Sequence, residues 1–337
     1  MNLVEFYVVT LAILAAINAI TVIGLNVQFG TAGLLNLAYI VLLAIGAYAT
    51  GIAALPPSPS HGYITYIGGF GWVFPWDLLF GMAVTVACGA FLGIMIFSRV
   101  SVWYMAVALT SIGYGLLTVI NDEPRIFNGY IGLVNVPGPW ESQLSQSDFQ
   151  LVFLGISLLS LAAILAFTWR LERSPLGRAW RTVREDETAA MALGKNPLVL
   201  KMSAFALGSL AAGLAGGLTV LFLGAWNTEA WQPNETFLVL AAVIVGGRGW
   251  TIGGVVGSLV IYDLLIEGSK YLPVLGGRNE LLPAIQTLFL GLIVLAMLWW
   301  RPYGLLPEPK AGYRVARSSL LRAAHRRTAP TPVPPVD

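Results

Sequence analysis

The chain alternates between long apolar runs and short polar interruptions. The apolar runs fall at 4–28, 33–55, 78–97, 102–120, 149–169, 201–224, 234–247, 253–271 and 281–300, and the seventh is short. Most are close to the roughly 20 residues that a helix needs to cross a bilayer core. A β-barrel would show short segments of alternating polarity instead. The pattern therefore predicts an all-α integral membrane protein. It is a polytopic helical bundle of about nine (eight to ten) transmembrane helices over residues 1–300, followed by a basic, Pro-rich tail at 301–337.

Composition agrees: 57% of the 337 residues are hydrophobic and 11% charged, against about 25% charged in soluble domains. The placement of Lys and Arg adds an orientation, because these residues are retained on the cytoplasmic side. With the N-terminus outside, the inner segments hold 16 of the 19 Lys and Arg residues and the outer segments hold 3. This predicts an outer N-terminus and a cytoplasmic C-terminus, and a re-entrant pair among the spans would leave both ends where they are. No Lys or Arg precedes Arg99, so the first span is expected to be retained, not cleaved as a leader. Trp76, Trp169, Trp226, Trp299 and Trp300 stand at span ends, as interfacial anchors do. The single cysteine, Cys88, excludes an intrachain disulfide, and with two separated histidines no structural zinc site is expected.

The longest charged interruption, "SPLGRAWRTVREDETAAMALGKNPLVLK" at 174–201, faces the cytoplasm in this threading. Ser174 before Pro175 reads as a helix cap with proline at the first helical position. Arg178, Arg181 and Arg184 follow at a spacing of three, on one face. Asp186 and Glu187 can start a second short helix. "TAAMAL" continues it, Gly194 offers a left-handed stop, and Asn196-Pro197 caps the next helix. The alanines give the short helix a low profile that another protein's groove could accept. The alternative is a solvated loop that merely obeys the positive-inside rule.

Inside the apolar runs, small residues repeat at four: Ser209, Gly213 and Gly217; Gly253 and Gly257; Gly89 and Gly93. Such spacing lets helix backbones approach closely. Gly30-Thr31-Ala32-Gly33 interrupts the first two runs, with Asn18, Asn26, Gln28 and Asn36 around it. It reads either as a broken segment presenting backbone groups to a substrate or as a short turn. Asp263 and Glu267 are the acids well inside a late span, one helical turn apart. They read as functional groups at membrane depth or as a structural pair with Lys270. Asn18, Asn26, Gln28, Gly30, Gly33, Asn36, Asp263 and Glu267 are thus the candidate translocation path.

These residues resemble a family. "SPLGRAWRTVREDETAAMALGKNPLVLKMSAFALGSLAAGLAGGL" is similar to the cytoplasmic loop and following span of the LivM-like permease of branched-chain amino acid ABC importers. Thr188-Ala189-Ala190-xxx-Gly194 matches that family's EAA motif, with Glu187 one place before the usual acid. "GLNVQFGTAGLLNLAYIVLLAIGAYAT" (24–50), "VIVGGRGWTIGGVVGS" (243–258) and "RPYGLLPEP" (301–309) resemble three further family stretches in colinear order. Asn36-Leu37-Ala38-Tyr39 departs from the usual Ser-Leu-Gly-His and leans toward the sister permease type. Asn128-Gly129-Tyr130 stands where a Gly-Gly pair is common.

The resemblance implies a permease subunit in the cell (inner or plasma) membrane. Its cytoplasmic loop would form a coupling helix seated in the ATP-binding subunit, with Arg178, Arg181, Glu187, Thr188, Ala189, Ala190 and Gly194 as coupling residues. The implied partners are a second permease, two ATP-binding subunits and an extracytoplasmic solute-binding protein. ATP and Mg would belong to the partner, and this chain would bind no cofactor. "ALGKNP" is not a nucleotide loop: Ala189 stands where the first glycine is needed and Asn196 where Ser or Thr is needed. No nucleophile–base pair, metal cluster or nucleic-acid signature stands out. The expected solute is a branched-chain amino acid, with urea, amides or other carboxylates behind it. The rivals are an ion-coupled secondary transporter and a membrane scaffold that docks a cytoplasmic partner.

Overall fold

The computed structural model describes residues 2–57, 66–98, 102–232, 235–268, 270 and 281–308. The tail beyond 308, with its arginines, lies outside the described residues. Each of the nine apolar runs contains a helix. These are α1 (Leu3–Leu25), α2 (Tyr39–Ala54), α3 (Trp76–Phe97), α4 (Val102–Asp122), α6 (Gln146–Arg173), α9 (Pro197–Leu223), α10 (Thr236–Gly246), α11 (Thr251–Ser258) and α12 (Leu281–Trp300). Three short helices lie between them: α5 (Pro124–Phe127), α7 (Pro175–Glu185) and α8 (Glu187–Ala192). Leu133–Val134 (β1) and Ala225–Trp226 (β2) pair antiparallel, Leu133 opposite Trp226, at the end of the bundle away from α7.

The nine runs are not nine equal crossings. Among the described residues five helices are long and apolar enough to span a membrane, six if one bent pair counts as a single span. Two corrections to the hydropathy reading follow. The second run was expected to be helical from 33, yet Ala32–Ala38 is irregular and α2 starts only at Tyr39. The first run instead continues past Leu25 as a wide π-helix, Asn26–Thr31. Secondly, the chain bends by 119° between α10 and α11 across the break 247–250. At 11 residues, α10 is about 16 Å long, half the roughly 30 Å hydrocarbon thickness. Hydropathy reads length and polarity; it does not see a change of direction made by glycines.

Helix α9 is the centre of the bundle, packed against α1, α2 and α3. Its small residues make this possible. A Cβ on Gly46 of α2 would sit 2.6 Å from the Gly213 Cα. Gly89 faces Ser209, and Gly257 faces the backbone of α10 at Ala242 and Gly246. The four-residue repeats are thus packing surfaces inside the fold. Large apolar side chains on α3, α4, α6 and α12, such as Phe91, Val107, Leu159 and Leu295, point outward, as lipid contact requires. Trp76, Trp299 and Trp300 are exposed near helix ends, but Trp226 is buried under β1 and does not join the aromatic belt.

Candidate functional site

The polar stretch 174–201 folds as its punctuation suggests. Ser174 accepts hydrogen bonds from the N–H groups of Leu176 and Gly177 and opens α7. Asp186 accepts from Thr188 and Ala189, at 2.8 and 3.0 Å, and opens α8. Gly194, at φ +72°, ends it. Asn196 then caps α9 through the N–H groups of Leu198 and Val199. Trp180 is buried beneath α7 and donates to the Ser203 hydroxyl at 3.0 Å. Glu187 pairs with Lys201 at 2.7 Å, tying α8 to the first turn of α9.

The three arginines do not share a face. A spacing of three falls short of a full turn by about 60° per step, so Arg178 and Arg184 diverge by about 120°. Arg178 is exposed, whereas Arg181 and Arg184 turn inward. Arg181 donates to the Glu172 carbonyl at 2.6 Å, and its Nε lies 2.8 Å from Glu308 Oε1. Arg184 pairs with Glu308 Oε2 at 3.0 Å and donates to the Gly30 carbonyl. The backbone passes so close to this side chain that a Cβ on Gly33, itself at φ +76°, would sit 2.8 Å from Arg184 Cγ. A Cβ on Gly249 would sit 2.8 Å from Glu308 and 2.9 Å from Arg184.

The membrane amides complete the same structure. Asn26 accepts from the Gly249 N–H at 2.9 Å and donates to the Trp250 carbonyl at 2.8 Å. Gln28 donates to the Phe205 carbonyl of α9, and Asn36 donates to Gln28 Oε1, each at 3.0 Å. The Asn36 side-chain oxygen Oδ1 accepts the Ala38 N–H just before α2. Non-helical backbone in an apolar bundle is tolerated only where its polar groups are satisfied; Asn26 does this at 249–250, and Asn36 does it for the Ala38 N–H before α2. Asn18 is half-buried on α1, away from this network. Glu267 accepts from Lys270 and from the Tyr7 hydroxyl, so it sits in the structural pair. Asp263, one turn earlier in the π-helical continuation of α11 (Leu259–Glu267), has one carboxylate oxygen buried with no hydrogen-bond partner.

Two residues that matter here were not singled out in the sequence. Glu308 is the acid of the "RPYGLLPEP" stretch, whose backbone at Leu305 and Leu306 donates to the carbonyls of Val245 and Gly246. Glu172 accepts from the Thr251 hydroxyl and N–H and so satisfies the first turn of α11. An acid set among Arg170, Arg173 and the arginines of α7 was the available signal. Arg248 lies over the Phe29 ring at 5.1 Å. The result is one connected junction: α7, both backbone breaks and the 301–308 segment meet at Arg184 and Glu308.

A family model described as the branched-chain amino acid transport system / permease component matches residues 7–298. The chain belongs to this family. The high-affinity branched-chain amino acid transport system permease proteins LivM of Salmonella typhimurium and Escherichia coli are each 29% identical to this permease over 326 residues, covering 89% of it and 70% of the relative. The LivH permease protein of the same E. coli system is 25% identical over 305 residues, covering 87% and 92%. No solved structure matches. The permease is thus a multi-pass membrane protein of the branched-chain amino acid transport type, with the junction at one end of its bundle.

Proposed function

We propose that this chain is the membrane-spanning permease of an ATP-driven importer, and that its solute is a branched-chain amino acid handed over by an extracytoplasmic binding protein. A second permease and two ATP-binding subunits complete the assembly; those subunits carry ATP and Mg. The N-terminus lies outside and α7 and α8 face the cytoplasm, as the Lys and Arg distribution suggests. The observation that carries this reading is the contrast between the two sides of the α7–α8 unit. Toward the membrane it is bonded through Arg184 to the Gly30 carbonyl at the first break and to Glu308, which lies beside Gly249 at the second. On the other side α8 presents an apolar ridge, with Met191 52% and Leu193 71% exposed beside Ala189 and Gly194. Such a ridge at an aqueous end fits a groove on another protein. In this reading the ATP-binding subunit moves the ridge, and Arg184 passes the displacement to the breaks.

The coupling residues divide accordingly. Thr188, Ala189 and Gly194, with the exposed Met191 and Leu193, form the docking face, while Arg178 lies at its edge. Ala190, 0% exposed, and Glu187, Arg181 hold that face in place. A charge at Ala190 would therefore test folding, not docking. Leu193→Asp is the cleaner probe, since the side chain projects into open surroundings. The variant should keep wild-type yield and thermal stability, lose solute-stimulated ATP hydrolysis in the assembled complex by about tenfold or more, and lose uptake with it. Unchanged stimulation by the binding protein and solute would reduce the ridge to a plain loop.

A further inference from the structure

A cavity of about 900 Å³ opens at the end of the bundle opposite α7. That volume lies in the upper part of the range of small-molecule sites. Two loops and two helix ends enclose it, and the loops are pinned by backbone bonds. Gly71 and Trp72 donate to the carbonyls of Leu55 and Ala53 at the end of α2, each at 2.8 Å. Val136 donates to the Gly224 carbonyl at the end of α9, also at 2.8 Å, next to the β1–β2 pairing. Pro137 and Pro139 stiffen the second loop further. The concavity is therefore built, not left over between mobile turns.

Its lining has one chemical character. Asp77, in the first turn of α3, is 2% exposed and yet lines the cavity. One of its oxygens accepts the Leu78 N–H at 2.7 Å, and among the described residues no cation forms an ion pair with it. Glu141 is the second lining carboxylate, and among the described residues no Lys, Arg or His lines the space. Three aromatic rings do: Trp72, Phe74 and Trp140, with Phe74 and Trp140 edge-to-face at 5.6 Å. Trp140 is held there with φ +55°, a conformation that a bulky L-residue keeps only where surrounding structure imposes it. A buried carboxylate that shares a cavity with electron-rich rings, and has no ion-pair partner among the described residues, is the chemistry that selects an ammonium group.

We propose that this cavity binds a small molecule carrying a primary ammonium group beside an apolar chain. Asp77 is the anionic partner of the ammonium, and Trp72, Phe74 and Trp140 form the wall that takes up the chain. Combined with the importer reading, on which this assignment of the ligand rests, the molecule is a branched aliphatic amino acid held at the extracytoplasmic mouth before it enters the bundle. Its carboxylate would point to the polar rim at Asn135 and Gln143, away from Asp77.

The test uses the full chain in its assembled complex in lipid nanodiscs, with binding followed by calorimetry. The probes are L-leucine, 3-methylbutylamine, which lacks the carboxylate, and 4-methylpentanoate, which lacks the ammonium. Leucine and the amine should bind and 4-methylpentanoate should not. Asp77→Asn should weaken leucine and the amine by about ten- to hundredfold, and Trp140→Ala by about two- to fivefold. Binding of 4-methylpentanoate as tight as that of the amine, or unchanged amine binding in both variants, overturns the site. Should Asp77→Asn not assemble, Trp140→Ala at the rim decides alone, and unchanged affinity again overturns it. ATP-driven leucine uptake is read on the same preparations. Uptake in the wild type with amine affinity unaltered by the variants rejects the site and leaves the importer reading standing. Variant-sensitive amine binding without such uptake supports the site and rejects leucine import.

Discussion

Replacing Arg184 with methionine should abolish transport and lower the stability of the permease more than any other single change on α7. Methionine keeps the aliphatic stem and its packing, and removes the guanidinium. The Gly30 carbonyl then loses its donor, and Glu308 keeps only Arg181. Breaking a buried charge pair costs about 3–5 kcal/mol. The Arg184 side chain is 13% exposed and Glu308 22%, so solvent screening lowers the expected loss to about 2–4 kcal/mol. The midpoint of heat-induced loss of the monodisperse peak on gel filtration reads this directly. Glu308→Gln preserves shape and some hydrogen bonding and should cost less. The double variant should cost less than the sum of the two single variants, because both remove one interaction. Full additivity, or wild-type heat stability in Arg184→Met, would show that the ion pair does not hold the junction.

The second large effect is expected at Asn26, the residue that joins the two breaks. It is 1% exposed and serves one donor and one acceptor on the far side of the 247–250 turn. Asn26→Leu fits the volume but leaves the Gly249 N–H and the Trp250 carbonyl unpaired. Each orphaned buried group costs about 1–3 kcal/mol, so the pair costs about 2–6 kcal/mol. The variant should therefore appear mostly as aggregate when extracted in mild detergent. Asn18→Leu is the control: it lies on the same helix, outside the network, and should extract like the wild type. Equal monodisperse yield of Asn26→Leu and wild type would mean that the breaks are held by other bonds.

The legibility of the chain follows from which physical signals are local. Caps and stops are local, so the boundaries of α7, α8 and the start of α9 could be read from Ser174-Pro175, Asp186, Gly194 and Asn196-Pro197. Apolar runs are local too, and each run holds a helix. What a run does in space is not local. Gly247 and Gly249, both at positive φ, turn α10 away from α11. The irregular stretch before Tyr39 depends on acceptors supplied by the Asn36 side chain, for the Ala38 N–H, and by the Gln28 carbonyl, for the Leu34 N–H. The amide cluster at Asn26, Gln28 and Asn36 is visible in the sequence. Its work in the structure is to satisfy broken backbone, which a sequence shows only once the breaks are placed. Glu308 escaped notice because its partners lie 124 and 127 positions away, and an exposed-looking acid after a proline carries no mark of such a pairing.

Asp263 remains the group most exposed to a rival account, since an unpartnered buried carboxylate oxygen at that depth would also suit an ion-coupled carrier. The measurement that separates the accounts is uptake of radiolabelled leucine into proteoliposomes holding the assembled complex and its binding protein. It is made once with ATP on the α8 side and no gradient, and once with a proton or sodium gradient and no ATP. The importer account predicts uptake with ATP alone, none with the gradient alone, and loss of the ATP-driven uptake in Leu193→Asp. Gradient-driven uptake in the absence of ATP would contradict it.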